Sequence, residues 1–157
     1  MLLHRGANPN ALSSMAETPL SIAVREGSIE AIATLILAGG DVRIGNLLHC
    51  AVERQRDDTR DVISLLVSHG TPVDGIEFED QAAMQLRGHL KRGTALHLAC
   101  QLDNMAAASA LVEHGANPLS TRRHYGEEEL TTPLDIAKAR ANNEMVEMLD
   151  SALGRLL

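Results

Sequence analysis

Short apolar segments come in pairs along the chain, and the pairing recurs four times. The first segments read TPLSIA, NLLHCA, TALHLA and TPLDIA, at residues 18–23, 46–51, 94–99 and 132–137. The second segments are apolar stretches at residues 35–37, 65–67, 111–112 and 145–149. Three of them run on into a glycine, at Gly39, Gly70 and Gly115. This pattern predicts four helix–turn–helix units, each joined to the next by a hairpin-like loop.

The residue types at these positions suit helix ends and helix contacts. Thr or Asn at the start of each first helix can cap it with a side-chain oxygen, and Pro19 and Pro133 then fall at the first helical position. The Leu and Ala that follow form a stripe that can pack on the neighbouring unit. Gly39, Gly70 and Gly115 are predicted to end the second helices in a left-handed conformation.

The repeated segments resemble the ankyrin repeat, whose signature is T-P-L-H-x-A and whose period is about 33 residues. The resemblance extends from Leu2 to about Leu153. It implies an all-α solenoid of stacked helix–turn–helix units with hairpin-like loops, formed by residues 1–157 as a single domain. The predicted divisions are a partial repeat at 1–12, repeats at about 14–43, 44–74, 90–119 and 128–157, and an insert at about 75–92.

The spacing of the repeats is irregular. The signature leucines Leu20, Leu48, Leu96 and Leu134 lie 28, 48 and 38 residues apart. Three of the extra residues fall in an extended turn between the helices of the second repeat, and the others fall between repeats. A solenoid tolerates insertion there, because these loops lie along one edge. We predict one insert at 75–92, containing one or two turns of helix, and another around residues 120–129.

The two inserts contain both aromatic residues of the protein, Phe78 and Tyr125. The repeated segments need neither ring, and aromatic and arginine side chains are enriched in binding hot spots. Phe78, Tyr125, Arg122 and Arg123 are therefore candidate contacts for a partner. An alternative stays open, in which each ring packs its own loop against the body of the protein.

The ankyrin resemblance also implies where a partner binds: on the concave side, through loop tips and the exposed face of each first helix. The corresponding positions after each signature are mostly long and polar. They are Arg25 and Glu26, Glu53 and Arg54, Gln101 and Leu102, and Ala139 and Arg140. The resemblance thus implies a non-catalytic scaffold that binds a protein or peptide, and the fold alone does not identify that partner.

Composition narrows the classes of partner and the compartment. The formal net charge of −7 argues against binding to nucleic acid or to an anionic membrane surface. No apolar run reaches the length of a membrane helix, and the first residues lack the apolar core of a signal peptide. Cys50 and Cys100 are too few for a disulfide framework in a chain this long. We expect an intracellular protein, cytoplasmic or nuclear, with two buried, reduced thiols.

Histidines are the main candidates for chemistry, because none of the common catalytic or phosphate-binding motifs is present. The resemblance assigns His49 and His97 to structural hydrogen bonds between neighbouring repeats. Packed helices lie roughly 8–10 Å apart, too far for both rings to ligate one ion. We predict no catalytic residue, metal or cofactor. His89 and His124 in the inserts leave one alternative, a small-molecule-binding or catalytic protein in which the 75–92 insert forms a pocket over the groove.

The two ends of the predicted stack differ. The last helix has an apolar stripe formed by Met145, Val146, Leu149, Leu153 and Leu156. Its outward face consists of Glu144, Glu147, Asp150 and Arg155, and Asn142 or Asn143 can cap its start. The partial first copy is too short to cover a face formed by Ile22, Ile32 and Leu35. We infer either a longer array, or a partner or second copy that covers this face and so produces association.

Overall fold

A computed structural model describes residues 6–15, 17–76, 92–124 and 127–156. Within these ranges the chain forms eight helices and one two-stranded sheet. The helices are α1 Pro19–Glu26, α2 Ile29–Leu37, α3 Leu47–Glu53, α4 Thr59–Ser68, α5 Ala95–Gln101, α6 Met105–Glu113, α7 Pro133–Ala139 and α8 Asn143–Leu156. The antiparallel strands β1 Arg122–His124 and β2 Glu127–Glu129 lie between α6 and α7.

The helices stack in two layers. The first helices of the repeats pack in order, α1 on α3, α3 on α5 and α5 on α7, and the second helices α4, α6 and α8 do the same. Each first helix also packs on the second helix of its own repeat. This arrangement confirms the predicted all-α solenoid.

The signature residues supply the contacts between layers. The four signature leucines are buried, and Ala51, Ala99 and Ala137 are fully buried. Alanine lets neighbouring helices approach closely, while the leucines fill the space between them. The buried hydrophobic side chains of the described ranges are all aliphatic or sulfur-containing, so the stack is held by thin layers of small side chains.

Two of the first helices begin with the predicted caps. The Thr18 hydroxyl accepts a hydrogen bond from the Ser21 N–H at 3.0 Å, and the Ser21 hydroxyl accepts one from the Thr18 N–H at 2.8 Å. Thr132 and Asp135 form the same reciprocal pair. These capping boxes satisfy N–H groups that a helix leaves without partners in its first turn.

The cap predicted at Asn46 is wrong. Asn46 has a φ of 53° and makes no side-chain cap to α3. The gap before α3 is the shortest between repeats, so the chain turns sharply through Gly45 and Asn46, and both have positive φ. A left-handed residue does not have the extended backbone that normally aims an N-cap side chain at the helix.

The glycines after the second helices have the predicted left-handed conformation. Gly39, Gly70 and Gly115 have φ values of 91°, 97° and 89°. In each repeat the glycine follows the end of the second helix and turns the chain toward the next loop.

Replacing Gly70 by alanine should lower the free energy of unfolding by about 1 kcal/mol, because an L-residue is strained at positive φ. No atom lies within 4 Å of the added Cβ, so no steric clash contributes. Gly154 is the matched control, since its added Cβ is equally free but it lies within α8. There the same change should raise stability by roughly 0.5–1 kcal/mol. Urea denaturation measures both variants, and effects of the same sign would contradict this assignment.

The C-terminal end of the stack is capped as predicted. Met145 and Leu149 are fully buried, Val146 and Leu153 are partly buried, and the predicted outward residues are exposed. The side chain of Leu156 lies outside the described part. Asn142 is the cap, because its Oδ1 accepts a hydrogen bond from the Met145 N–H at 3.0 Å.

At the other end, the prediction for Ile32 is wrong. Ile32 is fully buried, because α1 and α2 pack together around it. Ile22 is 42% exposed and Leu35 is only partly buried, so these two do lie toward an incompletely covered face. The partial first copy is attached through Asn10, whose side chain donates to the Gly39 carbonyl and accepts from the Asp41 N–H.

Backbone pairing joins the two predicted inserts to each other. Ile76, at the start of the first insert, pairs with Thr94, and the backbones of Arg92 and Arg123, one from each insert, exchange two hydrogen bonds of 2.8 Å. The second insert forms the β1–β2 hairpin. The short helix predicted within 75–92 lies outside the described residues. In the described ranges, no helix is both long enough and apolar enough to span a bilayer.

Candidate interaction surface

The C-terminal ends of α1, α3 and α5 present exposed side chains on one continuous surface. Glu26, Glu53, Gln101 and Leu102 are exposed there, and Leu102 is 53% exposed. Because these three helices stack in order, the side chains follow one another along the array. We name this set the inner surface. The structure thus presents these predicted contacts to solvent, and their role in binding stays a prediction.

Arg25 and Arg140 lie near opposite ends of the inner surface and are held by carboxylates of the chain itself. Arg25 forms an ion pair with Glu17 at 2.6 Å, and the hydrogen bond to Glu17 raises the pKa of Arg25. Arg140 forms an ion pair with Asp103, and its hydrogen bond lowers the pKa of that carboxyl. Both guanidinium groups are therefore oriented before any partner arrives.

Arg54 does not belong to this surface, and its prediction as a partner contact is wrong. Its side chain is fully buried. Nε and Nη2 donate to the two carboxylate oxygens of Asp58 at 2.6 and 2.7 Å, and Nη1 donates to the Val24 carbonyl at 2.7 Å. Arg54 thus joins the end of α1 to the long turn before α4. In the next repeat the Asn104 side chain makes the equivalent bond, to the Val52 carbonyl at 3.0 Å.

The structural role predicted for His49 and His97 is confirmed. His49 Nε2 donates to the Gly93 carbonyl at 2.9 Å, and His97 Nε2 donates to the Thr131 carbonyl at 3.2 Å. The Thr94 N–H donates to Nδ1 of His97 at 3.0 Å, which fixes the neutral tautomer. Burial lowers the pKa of each ring to about 4. Each ring therefore links its repeat to the loop before the next first helix as a neutral group.

Both cysteines are buried thiols. Cys50 is 7% exposed and Cys100 is fully buried, as predicted for reduced thiols inside helices. Burial raises the pKa of Cys100 to about 12. A thiol with such a pKa stays protonated at neutral pH and is a poor nucleophile.

The hairpin places opposite charges across its two strands. Arg122 pairs with Glu129 and Arg123 with Glu128 in the register of the sheet. Cross-strand pairs of opposite charge stabilise a hairpin modestly. Arg123 is exposed as predicted, but Arg122 is only 9% exposed. The expectation that Arg122 is an open surface residue is wrong, because its side chain lies beneath the hairpin and close to α5.

Comparison with known proteins identifies the architecture. A family model described as ankyrin repeats, in three copies, matches residues 48–153. This chain belongs to the ankyrin-repeat family. Ankyrin repeats generally mediate protein–protein interactions and are typically non-catalytic.

The ankyrin array is also similar to a mitochondrial disaggregase of Bos taurus. The two are 28% identical over 137 residues, which cover 87% of this chain and 18% of the bovine protein. The chain therefore spans less than a fifth of the length of that relative.

Several predicted residues of the ankyrin array lie outside the described ranges. These are Phe78 and His89 in the first insert, Tyr125 in the second insert, and the side chain of His124. In the part of the chain that the structure describes, no group of three or more His, Cys, Asp or Glu side chains could hold a metal ion.

Proposed function

We propose that this chain is a non-catalytic interaction module that binds a protein or peptide segment along the inner surface and the neighbouring loop tips. The observation that carries the proposal is the exposure of Leu102 among the polar residues Glu26, Glu53 and Gln101 on stacked first helices. An exposed apolar side chain surrounded by long polar ones has the composition of a small binding patch.

The charges of the inner surface favour a partner segment that carries basic and apolar side chains. Glu26 and Glu53 are exposed, Arg25 is shared between Glu17 and Glu26, and Arg140 is occupied by Asp103. The net charge of −7 has the same sign. Complementary charges at a rim mainly accelerate association, while an apolar anchor slows dissociation. We therefore assign affinity to Leu102 and orientation to the glutamates.

Replacing Leu102 by aspartate should reduce partner capture at least about tenfold, the effect of losing a hot spot worth roughly 1.4 kcal/mol. The partner is first captured from lysate on the wild-type chain and identified by mass spectrometry. Its binding to purified variants is then measured.

Leu37 provides the matched control for this substitution. It is 87% exposed and ends α2, a second helix, so Leu37→Asp adds the same charge away from the inner surface. This variant should bind like the wild type. Equal binding by both variants, or loss with Leu37→Asp alone, would contradict the proposed surface.

The alternative of a ligand pocket beneath the 75–92 insert depends on residues outside the described ranges, and no observation favours it. The similarity to a disaggregase covers 18% of that protein. Our proposal therefore assigns partner recognition to the ankyrin array and assigns no catalytic role to either insert.

A further inference from the structure

Three arginine side chains of the described ranges are buried, those of Arg54, Arg92 and Arg122. Arg54 has all the partners that a buried guanidinium needs, two carboxylate oxygens and a carbonyl. Arg122 is 9% exposed, and its buried Nε has no hydrogen-bond partner. None of the ion pairs or side-chain hydrogen bonds of the described residues involves Arg122. Arg122 thus differs from Arg54, whose guanidinium is fully hydrogen-bonded within the chain.

A buried cation without an acceptor destabilises the folded chain, so Arg122 calls for an explanation. Glu129 lies opposite in the strand register, yet no ion pair within 4.0 Å joins the two side chains. Burial lowers the pKa of Arg122, with an opposing effect from Glu129. The guanidinium thus remains a desolvated cation, and a carboxylate reaching it would gain more than one that meets an arginine in water.

The position of Arg122 connects this cation to the proposed binding surface. Arg122 belongs to the hairpin between α6 and α7 and lies close enough to α5 to influence His97 and Cys100 electrostatically. The same helix ends at the exposed Gln101 and Leu102. The cation therefore lies beside the helix whose end contributes Gln101 and Leu102 to the inner surface.

We propose that Arg122 anchors a carboxylate side chain, Asp or Glu, of the bound partner. The inference rests on the proposed function, since it names one chemical feature of the segment that binds there. The planar guanidinium can donate two parallel hydrogen bonds to a carboxylate, an arrangement that a lysine does not reproduce. The partner segment thus combines an acidic anchor at the hairpin with apolar and basic groups along the first helices.

NMR of the arginine Nε–Hε groups tests the anchor without the partner. The probes are acetyl-AAEAA-amide and acetyl-AAQAA-amide, titrated at equal ionic strength into the full 157-residue chain. We expect the Arg122 signal, assigned in the wild-type chain through the backbone resonances of the same residue, to shift saturably with the glutamate peptide. The dissociation constant should be at least tenfold higher for the glutamine peptide. No shift, or equal shifts with both peptides, would overturn the anchor.

Two further measurements separate an anchor from a structural arginine. The exposed Arg123 signal should move little with either peptide, and Arg123→Gln should leave the Arg122 response unchanged. If Glu129→Gln displaces the free-state Arg122 signal and abolishes the peptide response, Arg122 pairs with Glu129 within the chain and the anchor is overturned. The wild-type titration decides the matter even if a variant of Arg122 fails to fold.

The outcomes also distinguish this inference from the proposed function. A saturable Arg122 response together with capture that is insensitive to Leu102→Asp would remove the proposed surface and retain the carboxylate site. Capture that depends on Leu102 but not on Arg122, with no Arg122 response, would remove the anchor alone.

Discussion

Replacing Arg54 by alanine is expected to lower the free energy of unfolding by about 3 kcal/mol, the usual loss when one member of a buried charge pair is removed. The substitution removes two bonds to Asp58 and one to the Val24 carbonyl, which leaves that buried acceptor without its donor. Asp58 is 24% exposed, so water partly compensates the carboxylate. Urea denaturation followed by circular dichroism measures the change.

Arg56 is the matched control for Arg54. It lies two residues further along the chain, pairs with the same carboxylate at 3.7 Å, and is 50% exposed. Arg56→Ala should therefore cost less than about 1 kcal/mol, as is usual for surface ion pairs. If the two alanine variants lose similar stability, the buried bonds of Arg54 do not hold the first two repeats together in the way described.

Acid should destabilise the stack between pH 6.5 and 4 because of His49 and His97. Burial lowers the pKa of each ring from 6.5 to about 4. Above pH 6.5 both rings are neutral in the folded and the unfolded chain, and the stability is complete. As the pH falls toward 4 the unfolded chain takes up protons that the folded chain does not, and each ring lowers the free energy of unfolding by about 1.4 kcal/mol per pH unit. The summed loss reaches roughly 6–7 kcal/mol near pH 4 if both rings respond fully.

Urea denaturation at pH 7.5, 6.5, 5.5 and 4.5 measures this dependence, and His97→Gln provides its control. Glutamine at this position can accept the Thr94 N–H bond as part of a capping box, but it does not titrate. The variant should show about half the wild-type slope. The carboxyl groups with lowered pKa, such as Asp58 and Asp103, contribute at lower pH, below their ordinary value of 3.8. A flat profile between pH 6.5 and 4.5 would show that the rings are accessible to protons in the folded state.

The fold was predictable because its determinants are local. Thr18, Pro19 and Leu20 specify a capped helix start and a packing stripe within three residues, and the fourth repeat shows the same arrangement. The glycines that end the second helices needed only the local requirement for positive φ. Such signals survive changes in loop length, which explains why four irregularly spaced copies still indicate one architecture.

The site was less predictable because exposure depends on the loops. Arg54 and Leu102 follow their signatures at the same position, yet the longer turn before α4 brings Asp58 back onto Arg54 and buries it. The sequence did contain a signal for the Arg54–Asp58 ion pair, because the carboxylate lies four residues after the arginine. Arg122 gives no such signal, because nothing in the neighbouring sequence indicates that its side chain is buried. Asn46 failed as a cap for a similar reason, since the short preceding gap determines its backbone conformation.

The backbone pairs at the base of the first insert have a consequence for how this protein can diversify. Ile76 pairs with Thr94, and Arg92 pairs with Arg123, so both flanks of residues 77–91 are attached to the stack. The entropic cost of closing a loop between two fixed ends rises by only about 0.6 kcal/mol for each doubling of the loop's length. Evolution or a protein engineer can therefore exchange this segment for another of different length and recognition chemistry while the repeats on either side keep their packing. Residues 77–91 are therefore a suitable position for inserting a new binding segment.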